Sequence, residues 1–160
     1  MRASVHSAGF TLIELMVVLA IVGILAAGLF PLAELNVRRE KEQALRQGLR
    51  EIRAAIDAYK AAVDAGRIAR SVDSSGYPSS LEVLVDGVVD AKMPDSRRIY
   101  FLRRLPPDPF ATGAAQNAAA TWMRRSYASP PDAPKEDADV FDVYSKSDGI
   151  GLNGVPYRQW

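Results

Sequence analysis

The sequence predicts an α+β protein in which a long N-terminal helix packs on a small antiparallel sheet. Three observations support this fold class. Residues 10–33 form an almost uncharged apolar run, and residues 34–66 continue it as a charged helix with a narrow apolar stripe. Residues 67–160 hold short strand-like segments between loops rich in Pro and Gly. A long helical pattern followed by short alternating segments is typical of α+β architectures.

The apolar run from Phe10 to Ala33 contains one charged residue, Glu14. At about 1.5 Å per residue a helix of this length spans roughly 36 Å, more than the roughly 30 Å hydrocarbon core of a bilayer. We therefore predict a single membrane-spanning helix. A buried core helix and a cleaved secretory signal are alternatives, but the run is long and apolar on all faces. Gly23 and Ala27 form a small-xxx-small pair that permits close helix packing in lipid.

The predicted helix continues through residues 34–66 as a charged, water-exposed segment with one apolar face. The apolar residues of this face recur at spacings of three and four: Leu45, Leu49, Ile52, Ile56, Tyr59 and Val63. This period places them on one side of a helix, and Gly66 is a typical end signal. A free coiled coil is the alternative, but the stripe is short and a following domain offers a sheet for it to cover.

Residues 67–160 predict a small domain with one short helix and two strands. The segment SSGYPSSLEVLVDG combines turn residues, a Ser cap and an apolar pattern at Leu81, Leu84 and Val85, which indicates a short helix. The segments TWMRRSYAS and VFDVYSKS are typical of strands. Three prolines in LPPDP exclude regular structure directly after Leu105.

Composition narrows the classes of function. The chain has 20 Lys and Arg against 19 Asp and Glu, and a formal charge of +1 gives no reason to expect nucleic-acid binding. It has no cysteine, and its only histidine is His6. Nucleophile arrangements that use Cys or His are therefore unavailable once the first residues are removed. No phosphate loop or dinucleotide fingerprint occurs. We predict that the protein is not an enzyme and has no nucleic-acid partner.

The motif GFTLIELMVVLAIVGILAA, residues 9–27, resembles the class III signal of type IV pilins and type II secretion pseudopilins. In that superfamily a prepilin peptidase cleaves after the glycine on the cytoplasmic side and methylates the new N-terminal residue. The resemblance implies cleavage between Gly9 and Phe10, N-methylation of Phe10, and a leader peptide of residues 1–9. Glu14 would then be the fifth residue of the mature chain.

Glu14 is expected to act in assembly. A carboxylate in an apolar phase is costly, and the cost falls when an opposite charge pairs with it. Cleavage creates a cationic amine on Phe10, and the resemblance implies that the amine of an incoming subunit is the favoured partner. Glu14 would then select the register of assembly. The alternative is a carboxylate at headgroup level that complements the helix dipole.

Further landmarks resemble the major pseudopilin of type II secretion systems, in order: GYPSSLEVLV, YFLRRLPPDPF, DVYSKSDG and a final Trp. The stretch Ala111–Ala120 departs from that pattern. The resemblance implies a pilin-like fold and a structural subunit that polymerises with itself into a periplasmic pseudopilus, which drives protein export. It implies three further partners: the prepilin peptidase, the minor pseudopilins and the inner-membrane assembly platform. The expected location is the bacterial inner membrane, crossed once by residues 10–33, with residues 34–66 and 67–160 in the periplasm.

Two alternatives stay open within the superfamily. One is a type IV pilin of an adhesion or motility fibre, and such pilins often carry a C-terminal disulfide that this cysteine-free chain cannot form. The other is a minor pseudopilin that acts as a binding or initiation module. Tip subunits of one kind lack the glutamate, so Glu14 favours a subunit of the filament body.

The closing segment SKSDGIGLNGVPYRQW is a candidate calcium site. Ca²⁺ prefers several oxygen ligands at about 2.3–2.6 Å, and the resemblance implies a calcium site near the C-terminus. It points to Asp148 as a ligand, with the carbonyl of Lys146 as a second. The family's further acidic residue is missing, because no Asp or Glu lies between Gly149 and Trp160, and Asn153 is the nearest substitute. A glycine-rich turn closed without metal is the alternative.

Overall fold

The computed structural model describes residues 9–71, 74–93, 95, 97–111 and 117–160, without the side chains of residues 27–33. Its elements in chain order are α1 (Leu12–Asp64), α2 (Val83–Asp86), β1 (Val88–Val89), β2 (Arg98–Ile99), a 3-10 turn (Ala118–Thr121), β3 (Trp122–Arg125), β4 (Asp142–Ser145) and a second 3-10 turn (Tyr157–Gln159). The chain divides into two compact units, Met1–Arg39 and Glu40–Trp160. The predicted α+β class, with a long N-terminal helix and small antiparallel sheets, is confirmed.

The predicted membrane span falls in the first part of α1. Within the residues that the structure describes, no helix has the combination of length and apolar character needed to cross a membrane. The side chains of residues 27–33, which form the end of the predicted span, lie outside the described part of the chain. The boundaries of the span therefore stay a prediction.

The end of α1 follows from Gly66. The Gly66 N–H donates to the carbonyl of Val63 at 2.8 Å, and the Arg67 N–H donates to that of Ala62 at 2.9 Å. This pair of bonds is the Schellman motif, which requires a left-handed residue, and Gly66 has φ +68°. The predicted helix end is confirmed.

The second part of α1 supplies one side of the core of the second unit. The predicted apolar stripe is confirmed: Leu45, Leu49, Ile52 and Ile56 are at most 2 % exposed, Val63 is buried, and Tyr59 packs at the edge. The core is completed from the rest of this unit, by Leu81, Leu84, Leu102, Ala119, Trp122, Val140, Val143 and Tyr157. The stripe therefore covers the small domain, as the periodicity predicts.

Two short antiparallel sheets accompany the helix. β3 pairs with β4 from Trp122 opposite Ser145 to Arg125 opposite Asp142, so both predicted strands are confirmed. Along β4 the buried residues alternate with half-buried ones, which gives the strand one core face. β1 pairs with β2 over two residues each. The sequence carries no signal for this pair, since two residues are too few to show an alternating pattern.

The Pro-rich turn after Leu105 is fixed by a buried carboxylate. Asp108 is 4 % exposed, and its two oxygens accept hydrogen bonds from the Phe110 N–H at 2.8 Å and the Ser145 hydroxyl at 2.6 Å. Its own N–H donates to the Thr121 hydroxyl at 2.9 Å. These bonds satisfy the buried polar atoms of the turn and tie it to β4.

Candidate functional site

The predicted cleavage point, Gly9–Phe10, lies just before the start of α1. Both residues are exposed and outside regular secondary structure, and the Phe10 side chain is 80 % exposed. An accessible, non-helical segment has the geometry that a peptidase needs, because its backbone is not committed to helical hydrogen bonds. The cleavage and the methylation of Phe10 stay predictions.

Glu14 lies in the first turn of α1 and forms a capping box with Thr11. The Glu14 N–H donates to the Thr11 hydroxyl at 3.3 Å, and the Thr11 N–H donates to the Glu14 carboxylate at 3.5 Å. This reciprocal pair satisfies two N–H groups that a helix start leaves without helical partners. Both distances are at the long end for hydrogen bonds, so the exposed carboxylate is loosely held.

Thr11 is a residue that the sequence analysis missed. The signal was present, since a Thr followed three residues later by Glu before an apolar run is the signature of a capping box. The predicted assembly role of Glu14 is not addressed by this contact. It does give the carboxylate a second role within its own chain, which any mutational test has to separate from assembly.

Directly after the cap, the first part of α1 presents an apolar surface in every direction. Between Leu12 and Leu25 the large aliphatic side chains and Met16 are 47–78 % exposed. Consecutive helical residues point 100° apart, so this run leaves no polar face. Gly23 adds no bulk, and a Cβ at this position would meet nothing within 4 Å. Its predicted partner in the small-residue pair, Ala27, has its side chain outside the described part. Exposed apolar area of this kind marks an interaction site.

The side chains of Asp148 and Asn153, two residues expected at the calcium site in the C-terminal loop, are engaged in other contacts. The Asp148 side chain is 87 % exposed and forms an ion pair with Arg158. The Asn153 side-chain oxygen accepts from the Val155 N–H at 3.1 Å. The Lys146 ammonium donates to the carbonyl of Ala120 at 2.6 Å, a contact that does not involve the predicted ligand, the Lys146 carbonyl. Among the residues that the structure describes, no three His, Cys, Asp or Glu side chains are grouped to hold a metal ion. Ca²⁺ takes six to eight oxygen ligands, carbonyl oxygens included, and the calcium site in this loop stays a prediction.

The same loop contacts a buried carboxylate that the sequence analysis also missed. Glu42, on α1, is 4 % exposed and accepts hydrogen bonds from the Leu152 N–H at 2.7 Å and the Tyr157 hydroxyl at 3.0 Å. A signal was available, because Glu42 precedes Leu45 by three residues and so extends the apolar stripe by one position. A charge at a stripe position indicates a buried carboxylate with partners.

The comparison with protein families identifies the N-terminal segment. Residues 5–30 match the model of the prokaryotic N-terminal methylation motif. A methylation motif at the start of a long helix, an exposed apolar stretch on that helix and a domain with small antiparallel sheets together define a pilin-like subunit.

Curated relatives narrow this class. The type II secretion system core protein G of Klebsiella michiganensis is 34 % identical over 110 residues, which are 64 % of this chain and 67 % of the relative. The protein of the same name from Pseudomonas aeruginosa is 35 % identical over 109 residues, 66 % of this chain and 69 % of the relative. That from Dickeya chrysanthemi is 31 % identical over 153 residues, 91 % and 92 % of the two chains. The chain therefore belongs to the family of type II secretion system core protein G, the major pseudopilins. No solved structure matches it.

Proposed function

We propose that this pseudopilin is cleaved between Gly9 and Phe10, methylated on the Phe10 amine, and held in the bacterial inner membrane by residues 10–33. Residues 34–66 and the domain 67–160 lie in the periplasm. Copies of the mature chain polymerise into a pseudopilus that drives protein export. The observation that carries the proposal is the apolar surface from Leu12 to Leu25 beside the methylation motif.

The exposed apolar surface needs an environment that replaces water. Burying apolar area contributes about 25 cal/mol per Å², and a bilayer supplies such an environment before assembly. In a filament the same surface is covered by the helices of other subunits. Subunits added head-to-tail around an axis form an open helical polymer, so one apolar helix serves both states.

Glu14 is proposed to pair with the amine of a neighbouring mature subunit. An unpaired carboxylate surrounded by apolar side chains is strongly unfavourable, and a cationic amine offsets that cost. The pairing would reward one register over others and so act on specificity. We assign processing of the chain to the prepilin peptidase. We assign initiation, extraction from the membrane and delivery to the growing filament to the minor pseudopilins and the assembly platform.

A structural role without catalysis is part of the proposal. The relatives carry the name of a core protein of the type II secretion system. From Phe10 onward the sequence has neither His nor Cys, so the usual nucleophile–base pairs cannot be built. The names of the relatives favour secretion over the adhesion or motility fibre that was the alternative within the superfamily.

The test replaces Glu14 and Thr11 in cells whose only copy of this subunit is the variant. Glu14→Val removes the charge and the cap, Glu14→Gln removes the charge but keeps a capping side chain, and Thr11→Ala removes the hydroxyl of the cap alone. We expect both Glu14 variants to reduce filament formation and secretion by on the order of tenfold or more. A loss of about 1.4 kcal/mol of pairing free energy between subunits is enough for a factor of ten. Thr11→Ala should assemble close to the wild-type level.

Wild-type assembly by Glu14→Gln would refute the charge role and leave only the cap. Processing is measured separately by mass spectrometry of the N-terminal peptide. The expected species begins with N-methyl-Phe10. A chain that retains residues 1–9, or an unmethylated Phe10, would refute the proposed processing.

A further inference from the structure

The C-terminal loop, residues 146–160, is fastened to α1 by side chains of the chain itself. Glu42 is the buried contact, because its carboxylate accepts from the Leu152 N–H and the Tyr157 hydroxyl, 110 and 115 residues further along. Tyr157 is 2 % exposed. Hydrogen bonds to a charged acceptor in a buried place are among the stronger ones, and the donors lose this acceptor if Glu42 is removed.

Arg53 makes a second attachment at the end of the loop. Its guanidinium donates to the main-chain oxygen of Trp160 at 2.8 Å and to that of Val143 at 3.1 Å, and its Nε donates to Asp142 at 2.8 Å. One cation therefore joins the last residue of the loop to β4. The planar guanidinium suits this role, because its five N–H groups can serve several acceptors at once.

Aromatic packing completes the closure. The ring of Tyr157 stacks on Phe110 with centroids 4.2 Å apart and meets Trp160 edge-on at 5.1 Å. The Arg46 guanidinium lies 4.3 Å from the Trp160 ring centroid, a cation–π contact. The loop is thus held by hydrogen bonds, a cation and apolar contacts, all from residues 40–160.

The charge around the loop is unfavourable for a divalent cation. Asp148 is the only Asp or Glu in residues 146–160, and it is paired with Arg158. A cavity of about 380 Å³ beside the loop has cationic and aromatic walls, which include Arg46, Arg50, Arg53 and Trp160. Like charges repel, and a hard cation needs several anionic or carbonyl oxygens together. The ligand expected in this loop from the family resemblance does not fit these residues.

We propose that Glu42 and Arg53 close this loop in place of a bound divalent cation, so that folding of residues 40–160 does not require calcium. The two attachments come from α1, the helix whose first part carries the assembly signal. Closure of the loop therefore depends on the chain alone and is independent of the calcium concentration outside the inner membrane. The tests below measure loop closure and stability of the subunit, and they do not depend on filament formation.

The first experiment compares the full chain in detergent micelles under two conditions, about 2 mM CaCl₂ and excess EGTA. This calcium concentration is above the dissociation constants of weak extracellular calcium sites. Thermal unfolding is followed by the fluorescence of Trp122 and Trp160. We expect equal midpoints within about 1 °C. A calcium site with a dissociation constant of roughly 0.1 mM would raise the midpoint by about 4–7 °C, and a rise of that size would overturn the proposal.

The second experiment removes the buried carboxylate. Glu42→Ala should lower the midpoint by roughly 5–10 °C, and trypsin should release the peptide after Lys146 on the order of tenfold faster because the loop opens more often. Glu40→Ala, an exposed glutamate two residues earlier on the same helix, is the matched control and should behave as wild type. Release at the wild-type rate from Glu42→Ala would contradict the role of Glu42.

A milder variant covers the case in which Glu42→Ala does not fold. Tyr157→Phe keeps the ring packing and removes only the hydroxyl that donates to Glu42. It should speed peptide release by roughly two- to tenfold, in EGTA and in calcium alike. Tyr144→Phe, on the half-buried face of β4, is the control. The proposal would be overturned if trypsin released the peptide from Tyr157→Phe at the wild-type rate, or if calcium alone restored the wild-type rate.

Discussion

Two stretches of α1 carry large aliphatic side chains in opposite environments. Between Leu12 and Leu25 the large apolar side chains are 47–78 % exposed, whereas from Leu45 to Ile56 the stripe residues are at most 2 % exposed. The difference is in the pattern. The first stretch is apolar at almost every position, and the second only at every third or fourth position.

The difference in pattern indicates which surface covers the apolar side chains of each stretch. A narrow stripe matches one surface, and in this chain that surface belongs to residues 40–160. A stretch that is apolar all round cannot be covered by one small domain, so it needs surroundings on every side. Lipid and neighbouring helices provide such surroundings, as the proposed function requires.

The same substitution, Ile→Ala, should have very different effects in the two stretches. Ile52→Ala should cost about 2–5 kcal/mol of unfolding free energy, because Ile52 is fully buried and its removal leaves a cavity. Ile21→Ala, at a side chain 52 % exposed, should stay within about 0.5 kcal/mol. Chemical denaturation of the full chain in detergent, followed by Trp fluorescence, measures both.

The control is the assembly assay, in which the effect of Ile21→Ala should no longer be negligible. Ile21→Ala should impair filament formation more than it impairs unfolding stability, since its partner is outside the chain. Equal losses of stability for the two variants would show that residues 12–25 are packed on their own chain, against the comparison.

The sequence was sufficient to predict α1, β3, β4 and the methylation motif because the signals of these features are local. Windows of a few residues are enough to predict the apolar period of the helix, its end at Gly66 and the strands around Trp122 and Val143. The methylation motif likewise lies in one contiguous segment, residues 5–30. Each of these features depends on neighbours in sequence.

The unpredicted features depend on neighbours in space. The β1–β2 pair needs only two residues on each strand, and its existence follows from tertiary packing. The Glu42 contact with Leu152 joins residues 110 positions apart. The sequence also could not show that Asp148 pairs with Arg158, because no short-range pattern selects that partner over a metal ion.

Two glycines of α1, one in each stretch, have different surroundings. A Cβ at Gly48 would lie 3.4 Å from the Trp122 ring, while a Cβ at Gly23 would meet nothing within 4 Å. Gly48→Ala should be neutral or stabilising by up to about 1 kcal/mol, since Ala favours the helix and the contact is of ordinary length. Gly48→Leu should cost about 1–3 kcal/mol by overpacking.

Neither of the same two substitutions at Gly23 should destabilise the isolated subunit, because a Cβ there meets nothing within 4 Å. If Gly23 allows close helix approach in the filament, Gly23→Leu should reduce assembly more than Gly23→Ala does. A loss of subunit stability in Gly23→Leu would show that this glycine packs on its own chain.

The smallest effect is expected at Asp90, which follows β1 and pairs with Arg67 just after the end of α1. The Arg67 guanidinium donates two hydrogen bonds to this carboxylate, at 2.6 and 2.9 Å, and the Lys92 N–H adds a third at 3.0 Å. The Arg67 bonds first, and then the Lys92 N–H, hold the pKa of Asp90 below its ordinary value of 3.8. A lowered pKa in the folded state means that the unfolded chain binds the proton more readily.

The pH dependence follows from that sign. The stabilisation by Asp90 is fully present above about pH 4 to 5, and it is lost as the pH falls through the lower pKa of the folded state. Asp90→Asn should therefore be less stable than wild type at neutral pH, and the difference should shrink below pH 4. Denaturation midpoints from pH 7 to pH 3 measure this, with Asp132→Asn, an exposed loop residue, as the control. A difference that stays constant or grows toward pH 3 would show that the Arg67 contact does not stabilise the charged carboxylate.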